Sequence, residues 1–155
     1  MKKTVLFLLF CTFAVTTYSQ DIFNEVKKLK RKSEMIMNDT TQNLETRKIA
    51  CFKNDALYYL IEKAGNENTF TEYELGLQAN AMIEFVNLYV KRLSTEKKKQ
   101  DKELIMAKYK NVTIQNSLFN DMDKEIIYGY IDNEKFITQF SLDTDWVKAL
   151  DEVKK

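Results

Sequence analysis

The chain has 155 residues, with 24 basic and 23 acidic side chains, two cysteines, three glycines, no proline and no histidine. Without histidine there is no Ser-His-Asp or Cys-His nucleophile pair, no imidazole acid/base, and no histidine-bearing zinc or di-iron centre. Gly65, Gly76 and Gly129 are too few and too scattered for a phosphate-cradling loop or a dinucleotide fingerprint.

Lys2 and Lys3 precede an apolar stretch from Val5 to Val15 interrupted only by Thr12, and Thr17-Tyr18-Ser19 supplies small residues before Gln20. That order predicts a secretory signal over residues 1–19, cleaved between Ser19 and Gln20. A membrane anchor needs roughly 20 apolar residues, more than this stretch offers. Cys11 follows Phe10 inside the apolar stretch, a poor setting for lipid attachment. The expected mature chain, 20–155, is one exported domain of 136 residues, periplasmic or at the cell surface, with no transmembrane segment. It loses Lys2, Lys3 and no acid, so its formal charge becomes −1. Cys51 is then the only thiol, which rules out an internal disulfide and a Cys₄ metal site. Its run Ile49-Ala50-Cys51-Phe52 predicts a small buried hydrophobe.

With no proline and little glycine, nothing breaks long segments, and the apolar spacing is helical. A first helix over 21–37 repeats Ile22, Leu29 and Ile36, with Val26 and Ser33 interleaved. A second, from about Asn43 to a stop at Gly65, carries Ile49, Phe52, Ala56, Tyr59 and Leu60, then Leu57, Tyr58 and Ile61 on another side. Such all-round apolarity suits a central helix. In the third, Leu75, Met82 and Tyr89 form one row and Ala79, Val86 and Leu93 the other, behind a Thr71/Glu74 capping box. The polar segment 94–102 is either a turn or the exposed start of a fourth helix bearing Ile105, Tyr109, Val112 and Phe119. Asp143 is placed to cap a last helix bearing Trp146, Leu150 and Val153, with Leu142 and Val147 as hydrophobic staple.

Residues 126–142 admit two readings. β-Branched and aromatic residues flank the turn-like Asp132-Asn133-Glu134-Lys135, a hairpin signal. A lone two-stranded ribbon is marginally stable, which favours two short helices instead. The expected fold is therefore all-α: a bundle of about four longer helices with short C-terminal helices. The alternative is α+β with one hairpin at about 125–142.

Five cations in six residues, Lys27, Lys28, Lys30, Arg31 and Lys32, surround Leu29. On a helix they form either a solvated face or a strip for an anionic partner. Nucleic acid is disfavoured by export, near-zero net charge and a cation set of 21 lysines against three arginines. Asp143-Thr144-Asp145-Trp146 offers a cation site or sugar platform on one reading, and a cap, a first-turn acid and a core indole on the other. Glu72 with Glu74, or Asp121 with Asp123, are the nominal pairs for a glycosidase, which needs two carboxyls about 5–10 Å apart across a cleft. Tyr58, Tyr59, Tyr128 and Tyr130 serve either the core margin or a binding groove.

The lysine- and asparagine-rich, proline-free composition, with a signal ending Thr17-Tyr18-Ser19 before Gln20, looks like small exported proteins of Bacteroidetes-type bacteria. The ending from Phe140 to Leu150, FSLDTDWVKAL, resembles the tails of uncharacterised helical proteins from that group. The resemblance implies export and a helical ending, and carries no catalytic or binding residues. Asp39-Thr40-Thr41 looks like the short O-glycosylation acceptor of exported proteins in such bacteria, with Thr40 the candidate residue, although helix capping explains these residues too. Asn38-Asp39-Thr40 and Asn111-Val112-Thr113 match the N-glycosylation triplet.

These features predict a non-enzymatic binding or assembly module without cofactor or metal. Its partner would be a protein or an anionic envelope component, met through a helix face. The residues nominated for contact are Lys27, Lys28, Lys30, Arg31, Lys32, Tyr128, Tyr130 and Trp146. An inhibitor or immunity-type protein and a carboxylate-based hydrolase of envelope glycan are the alternatives.

Overall fold

The computed structural model describes residues 21–66, 70–121, 126–133 and 136–155. The fold is a helical bundle. Four longer helices, α1 (residues 21–38), α2 (Leu44–Asn66), α3 (Glu72–Thr95) and α4 (Lys99–Gln115), are followed by a hairpin of β1 (Ile126–Asn133) and β2 (Phe136–Ser141), and by the short α5 (Trp146–Lys154). None of the described helices is long and apolar enough to cross a membrane.

α3 forms as its rows predict. Leu75, Ala79, Met82, Val86, Tyr89 and Leu93 are all buried, and Phe85 joins them. The capping box closes its start: Glu74 N–H donates to Thr71 Oγ1, and Thr71 N–H donates to the Glu74 carboxylate. α2 begins just after Asn43, whose Oδ1 accepts from Thr46 N–H at 2.8 Å. It continues through Gly65 to Asn66, and no described glycine takes positive φ. Gly65 is therefore a helical residue and not the left-handed stop expected of it. Ala50, Phe52, Ala56, Leu57 and Leu60 are buried, whereas Tyr58 is exposed and Cys51 is only half-buried.

On α1 the interleaved row faces inward. Val26 and Ser33 are buried, while Ile22, Leu29 and Ile36 lie on its half-buried flanks. Ser33 satisfies its hydroxyl by donating to Leu29 O at 3.1 Å. Gly76 on α3 lets α1 approach closely, since a Cβ there would stand 2.9 Å from Ile22 Cγ2. At the other end, Arg47 Nε donates to Met37 O and ties the last turn of α1 to α2.

Residues 126–133 and 136–141 form the two strands of a hairpin, not two short helices. The strands are antiparallel, with Ile127 opposite Phe140 and Tyr128 opposite Gln139, and an irregularity lies between Gly129 and Asn133. The ribbon does not stand alone: β1 packs on α2 and β2 on α4. Phe140 enters the core, with ring centroids 5.0–5.6 Å from Phe52, Phe85 and Tyr89. Burial of that ring supplies the support an isolated ribbon lacks.

α5 closes the bundle against α3 and α4. Trp146, Ala149, Leu150 and Val153 are buried. Arg92 Nη1 donates to Val153 O at 2.8 Å, a cation at the helix C-terminus where the dipole favours it.

Candidate binding surfaces on the first helix

α1 carries the cation run. Lys27, Lys28, Arg31 and Lys32 are exposed, and Lys30 is half-buried. Two are neutralised within the helix: Lys28 pairs with Glu25 at 2.6 Å and Lys30 with Glu34 at 3.8 Å. The hydrogen bond and charge of Glu25 raise the Lys28 pKa. Lys27 lies over the Phe23 ring, 4.2 Å from its centroid, and Lys30 lies 5.8 Å from that of Tyr58. Among the described residues no acid pairs with Lys27, Arg31 or Lys32, so α1 shows a net positive face next to its own half-buried apolar row.

That apolar row floors two grooves. One lies between α1 and α3 and is lined by Ile22, Val26, Leu29, Tyr73 and Leu77. The other lies among α1, α2 and α3, where Leu29, Ile36, Ile49, Ile83 and Val90 form the floor and Lys32 and Lys53 stand beside it. Tyr73 and Leu77 are exposed.

Trp146 is not a contact residue. It has no exposed surface and packs at ring-centroid distances of 5.4 Å from Phe85 and 6.1 Å from Phe52. The expectation that it meets a partner is corrected by its place at the centre of the aromatic core. Tyr128 and Tyr130 lie on β1, but their side chains fall outside the described residues, as do Ser19 and Gln20.

The acids beside Trp146 are structural. Asp143, expected to cap α5, reaches backward instead. Its buried carboxylate accepts from Ser117 Oγ at 2.5 Å and from the backbone N–H groups of Leu118, Phe119 and Asp121 at 3.2, 2.7 and 2.8 Å. It thereby fixes loop 116–121, where Phe119 lies beyond the end of α4. The cap is Asp145, whose Oδ1 accepts from Lys148 N–H at 3.2 Å. Thr144 precedes that cap, so Leu142 and Val147 do not occupy the expected staple positions. Gln78 on α3, which no sequence pattern singles out, donates to Asp145 Oδ1 and accepts from Trp146 N–H.

Among the described residues no group of three or more Cys, Asp or Glu is placed to hold a metal ion. Of the nominal glycosidase acids, Glu74 is held below the usual carboxylate range by the Thr71 backbone and hydroxyl. Asp121 pairs with Lys63 at 2.8 Å and accepts from Tyr59 Oη. The Glu72 side chain and Asp123 lie outside the described residues. The Cys51 thiol is pushed up by burial and by Asp55, which opposes thiolate formation.

Thr40 sits exposed in the turn between α1 and α2. Asp39 accepts from the hydroxyl of Thr41 at 2.6 Å and from its N–H at 3.0 Å. The Thr41 hydroxyl contributes most to holding the Asp39 carboxyl below its usual value. The carboxylate thus engages Thr41 and leaves Thr40 facing water.

Comparison with protein-family models, with curated proteins and with solved structures finds no match.

Proposed function

We propose that the chain is an exported, non-enzymatic binding or assembly module, periplasmic or at the cell surface, that docks through the cationic face of α1. The partner is a protein or envelope component with an anionic surface. The observation that carries this reading is the α1 face itself: Lys27, Arg31 and Lys32 have no acid partner among the described residues. A cluster of exposed like charges steers association with an oppositely charged surface. The hydrolase alternative finds less support, because Glu74 is engaged in a cap and Asp121 in an ion pair. Thr40, exposed in its turn, is the residue proposed for O-glycosylation.

The experiment compares the full chain with its Lys27→Glu/Arg31→Glu/Lys32→Glu variant, each immobilised and exposed to envelope extract of the source cells. Capture by the parent and loss by a variant of unchanged helicity support the reading. Equal capture by both refutes it. Intact mass of the protein recovered from those cells reports cleavage before Gln20 and any glycan.

A further inference from the structure

The groove among α1, α2 and α3 has a composition that the docking face does not explain. Its floor is aliphatic, formed by Leu29, Ile36, Ile49, Ile83 and Val90. Lys53, half-buried on α2, stands in it beside Lys32 of α1. Lys53 Nζ donates to Asn87 Oδ1 at 2.7 Å, and among the described residues neither lysine pairs with a carboxylate. Burial and then the charge of Lys32 both lower the Lys53 pKa. Two lysines thus line one groove, one of them partly desolvated with a neutral amide as its acceptor. Desolvated like charges are costly, and an anion between them relieves both the repulsion and the lost hydration.

The space is about 410 Å³, within the range of about 300–1,000 Å³ for small-ligand sites. From Leu29 to Ile36 the floor runs along two turns of helix, roughly 10 Å at 1.5 Å per residue. A short aliphatic chain matches that length. The groove offers point charges and no arginine fork, which suits a compact carboxylate better than a phosphate.

We propose that this groove binds an aliphatic monocarboxylate, with its carboxylate between Lys32 and Lys53 and its chain along the floor. The site shares Lys32 with the docking face and is set apart from it by its half-buried cation, Lys53, which lies on α2.

The test is titration of the full chain with decanoate, decanol and decyltrimethylammonium, followed by backbone amide chemical shifts. Decanoate should saturate and move amides flanking the groove on α1, α2 and α3. Decanol and the cation should bind about tenfold more weakly or worse, and Lys53→Met and Lys32→Met should each weaken decanoate by about tenfold. Lys32 is exposed, so its variant decides the matter if Lys53→Met fails to fold. Absence of saturable decanoate binding, equal binding of decanol, or decanoate binding unmoved by the folded variants overturns the proposal. A chain that binds decanoate but captures no envelope partner keeps this inference and loses the docking one.

Discussion

The side-chain amide of Gln78 holds the Asp145 carboxylate from the neighbouring helix: its Nε2 donates to Asp145 Oδ1 at 3.0 Å inside the bundle. Its Oε1 accepts from Trp146 N–H at 2.6 Å, so one side chain of α3 satisfies both the cap and the first orphan donor of α5. Gln78→Leu leaves a buried carboxylate and a buried N–H short of partners. The expected loss is about 2–4 kcal/mol, read as a lower urea midpoint with an unchanged m-value. A midpoint within error of the parent contradicts the clamp.

Burial pushes the Asp145 carboxyl up. Hydrogen bonds from Gln78 and from Lys148, with the Lys148 charge, outweigh that effect and hold it below its usual value. The folded pKa therefore lies below the unfolded one of about 3.9. The stability Asp145 contributes is complete above that unfolded value, and is lost as pH falls through the depressed folded one. Asp145→Asn should be less stable than the parent at neutral pH, with a shallower decline in acid. Parallel acid limbs in urea titrations of the two would count against this assignment.

Tyr89 behaves in the opposite sense. Burial pushes its phenol up to about 12, and its hydroxyl donates a hydrogen bond to Thr138 Oγ1. Stability is full below an unfolded pKa of about 10 and is lost as pH rises from there through the folded value. Tyr89→Phe should cost about 1 kcal/mol at neutral pH and flatten that alkaline loss. Alkaline denaturation identical in the two proteins would exclude Tyr89 as its source.

Gly76 sets the distance of α1 from α3. Alanine there gains about 0.5–1 kcal/mol of helix propensity, but its Cβ would stand 2.9 Å from Ile22 Cγ2. Overpacking of that kind costs about 1–3 kcal/mol, so the clash wins and α1 must shift. Hydrogen exchange in α1 should accelerate in Gly76→Ala while α3 keeps its protection. Unchanged α1 protection would mean that the contact constrains nothing.

The parts of this fold that could be read from the sequence are those fixed by local periodicity. Leu75, Met82 and Tyr89 announce α3 because seven-residue spacing returns to one helical face, and Thr71 with Glu74 announces its start. The hairpin was legible only as the alternative reading, because its stability is not local: Phe140 packs against Phe52, Phe85 and Tyr89, residues far away in the chain. Asp143 and Asp145 are two residues apart and chemically alike, so the sequence alone could not say which caps α5 and which turns back to loop 116–121. The cation run on α1 was visible as composition. Lys53 was not, because its burial and its proximity to Lys32 exist only once α1 lies on α2 and α3.

The account rests most on the α1 face, and the salt dependence of its binding tests it most directly. Affinity of the full chain for the captured envelope fraction is measured while the screening length falls from about 10 Å at 0.1 M salt to about 3 Å at 1 M. Docking through Lys27, Arg31 and Lys32 predicts affinity that falls steeply along the series, and a flat, weak response from the charge-reversed variant. Affinity that ignores salt and survives reversal of those three residues would contradict it.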